Sequence, residues 1–425
     1  MAERIFREKG FNTAQLATPE GQALIAETFG VLREAISTSI SHEVPEILTY
    51  ALENNAFVFS GFKTFHAMRE IGLSLTNPDG SIKPFERFLN DVQKINDRYN
   101  HNYLRAEYNQ AVAASQMAVR WHEFEQDGDR YYLQYRTAGD SHVREEHAIL
   151  HNTTLPITDP FWDSFLPPNG WNCRCTAVQV RKDKYPMSDP ELAMKRGQNC
   201  TDGAKRQIFR FNPGKSMRLF PDRHPYMPKG CGDCARKLNL AYNPTDKKCQ
   251  VCDEIRRQAA ITQNREKYKQ LLQDSNYQDV IFDEANGGLK ASHIGHNFDK
   301  KGGVYELHVQ EAGFKSGHAV ILENEQNHKY KVRHTEGTWD YLKFEVAGCE
   351  TGTSSNILRG LKHCASKYVT EIAVIDFPET PFDLNVFETA LKRYRGLEKL
   401  NDGQFLRFKK IICVQNKEII HVAEL

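Results

Sequence analysis

"FWDSFLPPNGWNCRC", residues 161–175, puts two tryptophans, two adjacent prolines, a glycine and a Cys-x-Cys into fifteen residues. Proline removes a backbone donor that helices and strand ladders both need, and no apolar period of 2 or 3.6 runs through the stretch. The mixture predicts an ordered loop. Pro167-Pro168 fixes an extended path, Gly170 permits a reversal, and Trp162 and Trp171 give the loop a small core. Cys173 and Cys175, one residue apart, point to the same side of an extended chain. His147, on a short helix read over 141–152, can join them at a metal, with His142, His151 or Cys200 as a fourth ligand. Two buried cysteines and a hydrogen-bonded histidine are an equally good reading, because an unbridged cysteine is commonly a small core residue.

Upstream of the loop, "GQALIAETFGVLREAISTSI" (21–40) and the longer run 84–126 repeat apolar residues at three- and four-residue steps, which predicts a helical region over 1–126. "RYYLQYRTAGD" (130–140) and "TAVQVRKD" (176–183) read as strands on either side of the loop. The signature region thus runs over 127–182.

The 425 residues suggest two to four folding units. With 40% hydrophobic and 26% charged residues the chain reads as globular. No apolar run approaches the ~18 residues that span a bilayer, and the start, "MAERIFREKG", lacks the apolar core of a secretory signal. Ten cysteines in such a chain are expected to stay reduced or to bind metal, as in a cytosol.

Residues 201–270 carry 16 Lys and Arg against 7 Asp and Glu, although the whole chain nets only +1. That segment is basic enough to face phosphates, though a solvated basic face is the plainer reading. Within it lie "CGDC" (231–234) and "CQVC" (249–252). Cys231, Cys234, Cys249 and Cys252 have the spacing of a structural zinc site, and apolar residues over 183–256 are too sparse to hold the segment alone. The expectation is a small four-cysteine zinc module over 183–256, followed by a polar helical linker over 257–280.

From 281 to 425, alternating strand-like and helical stretches predict an α+β domain. His293, His296, His308, His318, His328 and His334 concentrate there, and imidazoles near neutral pKa suit general acid–base work. The glycine-rich run 287–303 reads as a flexible loop.

Two stretches resemble known families. Arg144, His147, Trp162, Pro167, Pro168, Gly170, Trp171, Cys173, Arg174 and Cys175 occupy the signature positions of phage Mu F-like proteins, the minor head (head morphogenesis) proteins of tailed phages. The resemblance covers roughly 1–182. It implies a low-copy virion component near the portal vertex, made in the host cytoplasm, with the portal or major capsid protein as partner and no reaction assigned to the loop. The basic segment would then touch packaged DNA through its backbone phosphates. The stretch 334–378 resembles the Asp…Glu-x-Lys, hydroxyl-rich helix pattern of contact-dependent tRNA nucleases and the wider barnase/EndoU/colicin-like toxins. That resemblance implies a metal-independent RNase using Asp340, Glu345, Thr353, Ser354 or Ser355, and a histidine such as His318. Ala347 stands where the pattern has lysine, which implies a degenerate domain unless Lys315, His318, Lys343 or Arg407 supplies the cation. The whole reads as a multidomain α+β chain: a mainly helical head-morphogenesis domain, a zinc module and a nuclease-like domain. The alternative is an RNase effector delivered by the virion, with tRNA as substrate.

Overall fold

The computed structural model describes residues 1–40, 44–227, 250–298, 303–324, 335–367, 369–400 and 408–425. The chain divides into two compact units, Met1–Asn239 and Leu240–Leu425.

The first unit opens with helices α1 (Ala2–Arg7), α2 (Pro19–Ser37), α3 (Glu46–Ser74), α4 (Phe85–Asp97) and α5 (Leu104–Asp127). Thr18 starts α2 by accepting from Gly21 N, with Pro19 at the first helical position where no donor is lost. α2 packs on α3 and α5, and the pair Lys63–Glu107 crosses from α3 to α5 at 2.5 Å with both side chains almost fully buried. Burial pushes Lys63 down and Glu107 up. Three antiparallel strands follow in the order β2-β1-β3, with β1 Tyr131–Arg136, β2 Thr154–Pro156 and β3 Thr176–Arg181. Short helices α6 (Glu145–Ala148) and α7 (Phe161–Phe165) lie between the strands.

The quoted stretch is therefore not loop throughout. Its first five residues form a short helix, where Asp159 Oδ1 accepts from Phe161 N, and the loop proper begins at Leu166. The Pro167–Pro168 peptide is cis. Gly170 does not occupy the left-handed region; a Cβ there would instead sit 3.3 Å from Arg144 Nη1.

The segment read as a coreless zinc module has a core in its described part. Helices α8 (Pro190–Cys200), α9 (Ala204–Gln207) and α10 (Pro213–Ser216) belong to the first unit. Phe209, Leu219, Phe220 and Met227 are buried, and Phe220 stacks on Phe59 of α3 at 3.7 Å between centroids. Asn55 holds this strap by its backbone: its Oδ1 accepts from Leu219 N and Phe220 N at 2.9 Å, and its Nδ2 donates to Phe220 O. Few apolar residues suffice because the strap borrows the helical layer's surface. Cys231, Cys234 and Cys249 lie outside the described residues. Cys252 is buried in the first turn of α11 (Gln250–Gln273).

α11 is no linker. Val251, Ile255, Ala259 and Leu271 are buried, and the helix packs on β4 (Tyr277–Phe282) and β5 (Leu289–His293) of the second unit. β5 occupies the glycine-rich run read as a flexible loop. Then come α12 (Gly303–Lys315), β6 (Ala319–Leu322), β7 (Gly337–Trp339), β8 (Leu342–Gly348), α13 (Ser354–Ala365), β9 (Ile372–Asp376), α14 (Leu384–Leu400), β10 (Lys410–Gln415) and β11 (Glu418–Glu424). One eight-stranded sheet runs β11-β10-β9-β8-β7-β6-β5-β4. Its pairings make β5, β6, β8, β9 and β10 run one way and the other three strands the opposite way. The expected α+β mixture is present, with the crossovers β8-α13-β9 and β9-α14-β10 joining parallel neighbours.

Candidate functional site

The loop's chemistry rests on the core around it. Met117, Trp121 and Phe124 of α5, Leu133 and Tyr135 of β1, and Trp162, Cys173, Cys175 and Cys200 form one buried cluster. Trp162 is 0% exposed, whereas Trp171 is half-buried and meets Phe209 and His224 edge-on. Arg144 Nη2 donates to Trp171 O at 2.6 Å, and Arg174 makes two bonds to Asp140 at 2.6 and 2.7 Å. The Arg174 guanidinium holds the Asp140 carboxyl down at about 2. Both arginines thus fasten the loop from outside while the tryptophan anchors it from within.

His147 Nδ1 lies 3.5 Å from Cys173 Sγ and 3.6 Å from Cys175 Sγ. A tetrahedral zinc with nitrogen near 2.05 Å and sulfur near 2.3 Å holds those atoms about 3.5 Å apart. The three ligand atoms all fall within 4.8 Å of one another. A hydrogen bond with Cys175 and the nearby His147 ring hold the Cys173 thiol well below the usual thiol range, and Cys175 is pushed up in turn. An easily formed thiolate is what a metal requires. Among the described residues no fourth side chain joins the group. His151 accepts from Thr137 N, Cys200 sits in the core with its thiol pushed up to about 12 by burial, and His142 lines the adjoining cleft. That cleft, about 620 Å³, is bordered by Arg105, Asn109, Arg144 and Arg174.

Against this geometry, residues 81–178 match the family model described as Phage Mu protein F like protein. The matched segment contains His147, Cys173 and Cys175 and ends just past Cys175. The first 80 residues of the resemblance read from sequence lie outside that match. The chain is 29% identical over 177 residues to a protein of Escherichia phage Mu called "Putative capsid assembly protein F", which covers 40% of this chain and 37% of that protein. It is 33% identical over 112 residues to the "Mu-like prophage FluMu F protein" of Haemophilus influenzae, 25% of this chain and 26% of that one. The chain thus aligns with well under half the length of either relative. No solved structure matches.

The second unit treats the nuclease-like residues differently. His318 Nδ1 is 2.6 Å from Asp340 Oδ2, and Asp340 Oδ1 accepts from Ala319 N. Both residues stand where β6 and β8 begin. Thr353 and Ser354 follow the end of β8, whose six residue steps span about 20 Å. Thr353 caps α13 by accepting from Asn356 N, and Arg393 donates to Ser354 and Ser355. Glu345, fully buried, faces His363 Nε2 on α13 at 3.3 Å and Lys367 Nζ, two residues past the end of α13, at 3.4 Å. His363 lies ten residues, about 15 Å, from the Thr353 cap. Of the expected set, then, only His318 and Asp340 meet. Glu345's cationic partners escaped the sequence reading, because one lies in α13 and the other just past its end. The Lys343 amide is bonded to Glu371 and Lys315 pairs with Glu311; Arg407, His328 and His334 lie outside the described residues.

Proposed function

We propose that the protein is a head-morphogenesis component of a tailed phage or prophage, entering the virion in low copy near the portal. The observation that carries this reading is that the Mu F-like match coincides with a loop anchored in the first unit's core by Trp162 and fastened by Arg144 and Arg174. In it, the His147–Cys173–Cys175 cluster binds zinc as a structural clamp, with the fourth position facing the cleft. A separate zinc at Cys231, Cys234, Cys249 and Cys252, contact of the basic middle segment with packaged DNA, and docking on portal or major capsid protein complete it. Mass spectrometry of purified virions is expected to find the chain; full-yield particles without it would overturn the reading. Elemental analysis of the purified protein is expected to give two zinc per chain. One would leave a single site, and none would remove both.

A second reading draws on the His318–Asp340 pair, an imidazole held by a carboxylate as general acid–base catalysis uses it. On that reading the second unit is an RNase carried with the virion. The dispersal of Glu345 and Thr353, and Ala347 in place of lysine, favour a degenerate nuclease-like unit. Incubating the full chain with total tRNA is expected to leave it intact; cleavage lost in His318→Ala would reverse the preference.

A further inference from the structure

The second unit holds a ligand set outside both readings. His296 follows β5, Glu306 lies in the first turn of α12, and Glu336 immediately precedes β7. One donor atom from each comes within 4.8 Å of the other two. His296 and Glu306 are both more than nine-tenths buried. The group sits past the ends of β5 and β6, the edge opposite the one that carries His318 and Asp340. In sheets of parallel strands, the carboxyl ends are where ligands are held.

The protonation of His296 follows from its neighbours. Nδ1 lies 2.8 Å from the Glu323 carbonyl oxygen, which can only accept, so Nδ1 carries a proton. A neutral ring then presents the bare lone pair of Nε2 to Glu306 Oε2, 2.8 Å away. A lone pair facing a carboxylate oxygen, with a second carboxylate beside them, needs positive charge between them. A proton on Nε2 is one solution, giving a plain ion pair. A metal ion is the other, and one ion would engage all three groups. An octahedral cation places adjacent donors about 2.9 Å apart with bonds as short as magnesium's and about 3.1 Å apart with manganese's longer ones, against the 2.8 Å observed; a tetrahedral ion would need a wider gap. One imidazole and two carboxylates also suit a harder ion than thiolates select. The Nδ1 hydrogen bond to Glu323 is the outer contact that fixes a ligating ring's orientation.

We propose that His296, Glu306 and Glu336 form a binding site for an octahedral divalent cation of the manganese type, which ties the strand ends of β5, β6 and β7 to the start of α12. Its remaining positions would be filled by water. The site is independent of the zinc reading of the first unit, and the test keeps them apart.

Manganese titrated into the full chain is the probe, read by calorimetry and by electron paramagnetic resonance, with Cys173→Ser/Cys175→Ser as background. The expected result is one Mn²⁺ per chain, unchanged by the cysteine substitutions and weakened at least tenfold by Glu306→Gln, which keeps the side chain's shape. Circular dichroism checks that the variant folds. Should it not fold, the pulsed spectrum of the Mn²⁺-loaded background protein decides: imidazole nitrogen coupling supports the site. No stoichiometric Mn²⁺ binding, equal binding in Glu306→Gln, or bound Mn²⁺ without nitrogen coupling would each overturn it, leaving the buried ion pair.

Discussion

Residues 144–175 and 318–353 have similar lengths and both carry titratable groups, yet the chain treats them in opposite ways. In the first, His147, Cys173 and Cys175 are 26 and 28 positions apart and converge on one nitrogen. The intervening chain is short strand, short helix and irregular loop, free to fold back under Trp162. In the second, β8 is a straight ruler. It holds Asp340 at one edge of the sheet, buries Glu345 in the middle, and delivers Thr353 to the far edge. Irregular backbone concentrates side chains, whereas a regular element spaces them by its own repeat. A linear motif therefore predicts a site only where the chain between its members can double back.

The largest expected effect is on the first region's anchor. Trp162→Ala should cost about 3–5 kcal/mol, the range for deleting a fully buried aromatic, read as loss of the first unit's unfolding transition in urea. A loss under 1 kcal/mol would mean the arginine fasteners, and not the buried core, set the loop.

Next comes a pH effect in the second region. Lys410 opens β10 with its Nζ buried and, among the described residues, lacking a hydrogen-bond partner; burial lowers it to about 8. The unfolded chain keeps that proton up to about 10.4. Between those values the unfolded state binds more protons, so this group's contribution to stability improves as pH rises. Below pH 8 the full cost, about 3 kcal/mol, is present. Lys410→Met should therefore stabilise the second unit most at neutral pH and least above pH 10.4. Denaturation curves of both proteins across pH 7–10 check this; a constant offset would refute it.

The smallest effect bears most directly on the comparison. A double-mutant cycle of His147→Ala with Cys173→Ala should show coupling of about 0.5–3 kcal/mol, as for groups in contact. Asp340→Asn with Thr353→Ala should add to within about 0.5 kcal/mol, as for distant sites. Coupling in the second cycle would show that the sheet joins its two edges after all.

Much of the first unit was legible. Long apolar periods marked α2 to α5, and the tryptophans, prolines and cysteines marked a loop with its own core. The strap at 209–227 was not legible. Its anchors Phe209, Phe220 and Met227 follow no period, and the contact that holds it joins Asn55 to a backbone 165 positions away. α11 was misread from its many charges, although Val251, Ile255 and Ala259 form a stripe at four-residue steps. β5 hid in a glycine-rich run because only five residues pair. Of the candidate groups, the histidine and Cys-x-Cys could be paired from sequence since a short helix and a loop bring them close. His296, Glu306 and Glu336 could not, because three separate elements deliver one ligand each and only the strand order makes them neighbours.

α5 serves two masters. Its Glu107 and Gln110 grip α3 and the strap backbone at Leu219, while Met117, Trp121 and Phe124 roof the loop. The signature region is thus no portable cassette. Transplanting 127–182 into another head protein would strip it of its ceiling, and the smallest graft that keeps every wall runs from the start of α2 to the end of the strap.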